Sequence, residues 1–147
     1  MTEKQIKGIM SNKSDHWRTP NQLLQRIEYD LDICPYKSNK DNLTIEWPKN
    51  KIIYCNPPYS QIKIWVDKII YEVSNGAYVK LLIPARTDTK YFHKLMNSGI
   101  VGNLYFFEGR LKFNEQLGAP FPSILLVCRR ESKLFVKFVK ANGYDVF

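Results

Sequence analysis

Lys51-Ile52-Ile53-Tyr54-Cys55-Asn56-Pro57-Pro58-Tyr59-Ser60 is the stretch on which the fold turns. Its first five residues are mostly apolar and β-prone, and they run straight into two consecutive prolines. Proline cannot donate to a strand ladder, so the chain must leave a sheet here in a stiff turn. Past the turn, Ser60 is a helix-capping type, and Ile62, Trp65, Val66, Ile69, Ile70 and Val73 recur with the helical period up to Gly76. AYVKLLIP, residues 77–84, then reads as another strand. Strand, turn, helix and strand in that order predict a βαβ unit and hence a parallel sheet.

The flanking sequence extends the pattern. Thr19-Pro20 opens a helix with Thr19 as cap and Leu23, Leu24 and Ile27 on one face, and YDLDIC, residues 29–34, reads as a short strand. Asp88 or Thr89 starts a helix bearing Tyr91, Phe92, Leu95 and Met96, which stops at Gly99. VGNLYFF and RLKF are strand-like on either side of Gly109, residues 114–122 form a loop, and SILLVC is a buried strand. ESKLFVKFVKANG, residues 131–143, has the spacing of an amphipathic helix with Leu134, Phe135, Phe138 and Val139 inward. The expectation is an α/β fold with a mostly parallel sheet and helices on both faces. Its site should lie at the carboxyl ends of the strands, where Asp32–Pro35, Asn56–Tyr59 and Pro84–Asp88 fall.

At 147 residues, 44% hydrophobic and 24% charged, the chain suits one globular domain. We expect a flexible basic arm over residues 1–14, carrying Lys4, Lys7 and Lys13, and a single domain over 15–147. Against 14 acidic residues stand 22 Lys and Arg, a net charge of +8 that favours a polyanionic partner. The three cysteines, Cys34, Cys55 and Cys128, form no C-x-x-C pair, which argues against a disulfide framework or a zinc site. His16 and His93 lack ligand spacing, so no metal is expected. No apolar run approaches the roughly 18 residues of a membrane span, and the polar start is unlike a secretory signal. An intracellular, soluble protein is the expectation.

The order Asn56-Pro57-Pro58-Tyr59 suits chemistry on an amine attached to an aromatic ring. Such an amine is a poor nucleophile because its lone pair is delocalised. The Asn56 side-chain oxygen and the Pro57 carbonyl would accept its two hydrogens and direct the lone pair outward. The prolines hold that carbonyl still, and Tyr59 offers a face on which a base taken out of a duplex can stack. Read alone, the tetrapeptide is also compatible with a plain turn and a core tyrosine.

Strand-NPPY-helix resembles the catalytic motif of S-adenosylmethionine-dependent amino-methyltransferases, which act on adenine N6, cytosine N4 or a glutamine amide. The resemblance is wider than the tetrapeptide. Asp15-His16-Trp17-Arg18-Thr19-Pro20, Asp30-Leu31-Asp32-Ile33-Cys34-Pro35, NPPYS, LIPARTDTKYFH at 82–93, EGRLKF at 108–113 and APFPSILLV at 119–127 are similar, in order and spacing, to the phage-type DNA N6-adenine methyltransferases of the Dam family. The resemblance implies a reduced Rossmann-like (class I) methyltransferase sheet, a catalytic segment Asn56, Pro57, Pro58 and Tyr59, and S-adenosylmethionine near Trp17, Thr19, Pro20, Asp32 and Cys34. It implies a DNA substrate and a viral or prophage setting. Arg86, Arg110, Lys112, Phe113 and Phe121 combine basic and aromatic groups and are the substrate-side candidates.

The chain departs from most methyltransferases in two ways. No glycine occurs between Gly8 and Gly76, so the usual glycine-rich loop after the first strand is missing. Only residues 35–50 separate the first two strands, too few for the usual inserted elements, so about five strands are expected. Asp41 or Glu46 is the candidate for the acid that would hold the donor ribose. Two rivals stay open: a catalytically silent nucleic-acid-binding protein of the same fold, and a glutamine-amide protein methyltransferase. A homodimer is expected only because there is no room for a recognition domain.

Overall fold

The computed structural model describes residues 17–38, 40–113, 119–130 and 133–141. The arm expected over residues 1–14 lies outside these. The described residues form one six-stranded sheet of β1 (Leu31–Asp32), β2 (Ile52–Cys55), β3 (Tyr78–Pro84), β4 (Val101–Glu108), β5 (Ser123–Cys128) and β6 (Phe135–Lys140), in the order β1-β2-β3-β5-β4-β6. β1, β2 and β3 are parallel neighbours, and β6 is parallel to β4. β5 is antiparallel to both β3 and β4 and alone runs against the other strands. The mostly parallel α/β sheet is therefore present.

Helices cover both faces, unequally. Val79, Leu81, Ile83, Ile124 and Leu126 point to the face packed by α2 (Ile62–Ser74) and α3 (Lys90–Asn97). Of the α2 side chains expected inward, Ile62, Trp65, Val66, Ile69 and Val73 are buried there and Ile70 is half-buried. Tyr54, Leu82, Tyr105, Phe107 and Leu125 point the other way, toward the six-residue α1 (Asn21–Arg26) and the segments around Leu111 and Phe121. Alternation along each strand sets this division. α2 ends where Gly76 takes φ +108, with Gly76 N–H donating to the Val73 carbonyl at 3.0 Å and Ala77 N–H to that of Glu72 at 3.0 Å. Only glycine adopts that conformation without strain.

Several local expectations are corrected. Residues 135–140 form strand β6 along the free edge of β4, where an amphipathic helix was expected. The run Phe135-Val136-Lys137-Phe138-Val139 is rich in β-forming types, and β4 offers an unpaired row of backbone groups; pairing outweighs a helical spacing. Its apolar spacing did not report burial, since Phe138 is 79% exposed and Phe135 61%, and only Val139 is interior. This strand raises the count from five to six. Arg110–Phe113 forms no strand. α1 begins after Pro20 without a side-chain cap, and α2 follows a 3-10 turn at Tyr59–Gln61, with Gln61 instead of Ser60 at its cap position. Thr89, and not Asp88, caps α3, its Oγ1 accepting from Phe92 N–H at 3.4 Å.

Among its described residues the β1–β2 connection contains no regular element, as its length required. Trp47, 1% exposed, pins it against Trp65 of α2 with ring centroids 6.3 Å apart, and its indole N–H donates to the Asn42 carbonyl at 2.8 Å.

Candidate active site

Asn56 leaves the end of β2 and is 3% exposed. Its Nδ2 donates to the carbonyl of Trp17 and, at 3.1 Å, to Thr19 Oγ1. A carbonyl can only accept, so the amide cannot be turned end for end, and Oδ1 must face away from Trp17. Thr19 Oγ1 in turn lies 2.6 Å from Tyr54 Oη. Tyr54, one residue before Cys55, projects to the α1 face by strand alternation and meets Thr19 at the head of α1. Burial above all pushes the Tyr54 phenol well above its usual range, against the lowering effect of the Thr19 bond. It is thus a neutral hydrogen-bonding group that ties the sheet, through Thr19, to the Asn56 amide.

An aromatic cluster adjoins this relay. The Trp17 ring meets Phe121 edge-on at 5.5 Å and Phe113 at 5.7 Å, and Tyr59 meets Phe121 at 5.2 Å. Phe113 and Phe121 are buried at 8% and 4% exposure, while Trp17 and Tyr59 are half-buried. The Ala85 N–H, donating to the Pro122 carbonyl at 2.8 Å, fixes the Phe121 segment to the end of β3 beside Arg86. Residues expected in three different roles, Asn56 and Tyr59, Trp17 and Thr19, and Phe113 and Phe121, therefore converge. The prolines stiffen the turn as expected: Pro58 has φ −58, and its carbonyl accepts from Gln61 N–H at 3.0 Å.

Asp32 ends β1 at the same sheet edge, in register with Tyr54, and its Oδ1 accepts from Cys34 N–H at 3.1 Å. That bond closes a tight turn and aims the half-buried carboxylate along the edge. The Cys34 thiol is pushed up to about 12, by burial and then by Asp32, and is not a nucleophile. Pro20 is half-buried at the head of α1, and Arg86 is half-buried beside Tyr91, on whose phenol it acts electrostatically. Arg110 and Lys112 are exposed on the β4–β5 connection, with the buried Leu111 between them. Among the described residues no cluster of His, Cys, Asp and Glu could hold a metal, and no helix is long and apolar enough to cross a membrane. Tyr54 was missed as a site residue; a hydroxyl-bearing side chain on the otherwise apolar strand just before NPPY was the available signal.

Residues 7–130 match the model of the family described as DNA N-6-adenine-methyltransferase (Dam). This chain belongs to the Dam family. A curated DNA N-6-adenine-methyltransferase of Escherichia phage T1 is 30% identical to it, over 67% of this chain and 53% of the phage protein. The chain thus spans about half the length of that relative. The crystal structure of a predicted O-methyltransferase from Agrobacterium tumefaciens shares 11% identity and a TM-score of 0.35, covering 65% of this chain and 46% of its own. At that distance the fold rests on the sheet order described above. In this Dam-family chain the glycine-free turn after β1 is made with Lys37 at φ +58, the left-handed conformation that glycine ordinarily supplies. Asp41 is exposed and accepts from Leu43 N–H at 3.2 Å, and Glu46 is exposed and pairs with Lys49 at 3.5 Å. Neither is aimed inward as a ribose-binding acid would be.

Proposed function

We propose that the chain transfers a methyl group from S-adenosylmethionine to N6 of adenine in DNA. The observation that carries this is the Asn56 amide, which its two Nδ2 bonds orient beside the half-buried Tyr59 ring. Donor chemistry fits the neighbouring end of β1: the Asp32 carboxylate suits the ammonium group, Trp17 and Pro20 offer aromatic and apolar surface of the kind an adenosine needs, and Cys34 follows Asp32 in the turn. S-adenosylmethionine would supply an electrophilic methyl group there. Everything else is done by the chain. Tyr59 stacks the extruded adenine; Asn56 Oδ1 and the Pro57 carbonyl accept the two amine hydrogens, so the nitrogen lone pair is directed at the incoming carbon. Phe113 and Phe121 support the stacking residues from behind, and Arg86, Arg110 and Lys112 face DNA phosphates. The methyl's bond to the donor sulfur would break as its bond to nitrogen forms, S-adenosylhomocysteine being the leaving group, and one amine proton passes along the line of its acceptor to solvent. Because Thr19 and Trp17 hold Asn56 in place beforehand, little reorganisation accompanies the step.

Labelled methyl transfer to unmethylated DNA, followed by mass spectrometry of the nucleosides, tests the reading. N6-methyladenine should form with the wild type and fall on the order of 100-fold or more with Asn56→Ala. Absence of product with the wild type would overturn it. The glycine-free turn favours one alternative, a silent DNA-binding protein. The same experiment separates the two, since a silent protein binds DNA but makes no product.

A further inference from the structure

Among the described residues, rings and thiols apart, four polar side chains are buried: Thr19, Asn56, Glu72 and Ser123. The first three are bonded. Thr19 and Asn56 belong to the relay described above, and the Glu72 carboxylate on α2 accepts from Lys68 Nζ at 2.7 Å and from Trp47 N–H at 3.3 Å. Ser123 is 1% exposed, and its Oγ has no hydrogen-bond partner among the described residues. A hydroxyl stranded in this way destabilises the fold, and alanine would fill nearly the same space without that loss. The Trp65 indole N–H is also unbonded among these residues, but its ring is needed for packing against Trp47. Serine has no such second use: the hydroxyl is all that distinguishes it from alanine.

The place of Ser123 in the sheet says what the hydroxyl is for. It opens β5 opposite Pro84, the last residue of β3, and so stands at the Asn56 edge. Strand alternation sets it on the same face as Leu125 and Val127, the α1 face, where Phe113 and Phe121 are buried. Cys55 pairs with Leu81 and Leu81 with Leu126, so Asn56 is level with Leu82 and Leu125, and Ser123 lies two residues nearer the rim. With β3 between them, the backbones of Ser123 and Asn56 are about 10 Å apart across the sheet and about 7 Å along it. A purine with a hydrogen bond at each side spans such a gap. The chemistry matches as well. The Asn56 oxygen and the Pro57 carbonyl suit an exocyclic amine because they accept, whereas the ring nitrogens of adenine need a donor. A hydroxyl donates, and the phenylalanine rings on this face cannot.

We propose that Ser123 is a base-contact residue, its Oγ–H donating to a ring nitrogen of the target adenine once the base is seated on Tyr59. This rests on the methylation reading above. Seating the base parts edge-on ring contacts such as that of Tyr59 with Phe121, which are individually weaker than the stacking that replaces them. Methyl transfer to a synthetic duplex carrying the site that the wild type methylates tests the proposal, with adenine or its 1-deaza, 3-deaza or 7-deaza analogue at the target position. Ser123→Ala should lower kcat/KM on adenine about tenfold or more. Its Tm should rise by a few degrees, because a stranded hydroxyl has gone. With one of the three analogues the wild type should lose about tenfold, and Ser123→Ala should lose nothing further with that same analogue. A merely structural serine would produce no such coupling to a single atom of the base. A Ser123→Ala variant as active as the wild type, a variant that loses activity together with Tm, or an equal response of both proteins to all three analogues would each overturn the proposal. Failure of the methylation reading is distinguishable from these. A wild type that makes no N6-methyladenine refutes that reading and this proposal together, whereas methylation by the wild type with an undiminished Ser123→Ala refutes the role of Ser123 alone.

Discussion

Replacing Thr19 with valine keeps the side-chain shape at a position 6% exposed and removes the oxygen that joins Asn56 to Tyr54. Two buried groups lose a partner at once: Asn56 Nδ2, which stood 3.1 Å away, and Tyr54 Oη, at 2.6 Å. A buried polar group so stranded costs about 1–3 kcal/mol, so Thr19→Val should lose about 2–4 kcal/mol and lower Tm by roughly 10 °C. Tyr54→Phe leaves Thr19 Oγ1 as the Asn56 acceptor and should lose only about 1 kcal/mol. The double variant is the discriminating one. Once Thr19 is valine, the Tyr54 hydroxyl is a stranded group, and removing it should restore about 1 kcal/mol, so the double variant is more stable than Thr19→Val alone. Methyl transfer should not recover with it, because Asn56 still lacks one of its two restraints. Urea denaturation of the four proteins, beside their transfer rates, gives the comparison. A Thr19→Val variant within about 0.5 kcal/mol of the wild type, or a double variant less stable than that single one, would refute the relay.

Gly109, at φ +84 where β4 ends, should lose about 1 kcal/mol on replacement by alanine. The new Cβ would meet Ala141 Cβ at an ordinary 3.7 Å, so the loss comes from the backbone alone; thermal unfolding reads it, and an unchanged Tm would contradict the left-handed assignment. Stability should also fall in alkali. Burial pushes the Cys128 thiol up to about 12 and Cys55 well above its usual value, so above about pH 9 the unfolded chain ionises while the native one stays neutral. Their contribution, complete below pH 9, should decline by up to about 1.4 kcal/mol per pH unit for each thiol as pH rises toward 12. Denaturant midpoints from pH 8 to pH 11 measure this, and Cys128→Ala should flatten the decline.

The sequence disclosed those parts of the fold where local preference and burial agree. β2, the NPPY turn, α2 and β3 fall within a residue or two of expectation because apolar period, paired prolines and a terminal glycine act together there. β6 was misread because its partner, the edge of β4, lies about 30 residues away and leaves no mark on local spacing. Thr19 is the more instructive case. Its place before Pro20 has the form of a helix cap, yet its hydroxyl serves Asn56 and Tyr54, and α1 goes without a side-chain cap. A hydroxyl has few bonds to give, and the choice among partners 35 and 37 residues away is made only in the folded chain.

Among the described strands β5 alone runs backward, and this has an evolutionary consequence. Because it returns directly beside β4, the residues that lead out of β4, Arg110, Lys112 and Phe113, and those that lead into β5, Phe121 among them, lie at the Asn56 edge. A loop with both ends at one rim can gain or lose residues at a small entropic penalty that grows only slowly with its length. Neither the register of the six strands nor the Tyr54–Thr19–Asn56 relay depends on that length. The hairpin is therefore a socket: the scaffold and the residues around Asn56 can stay constant while one surface segment varies.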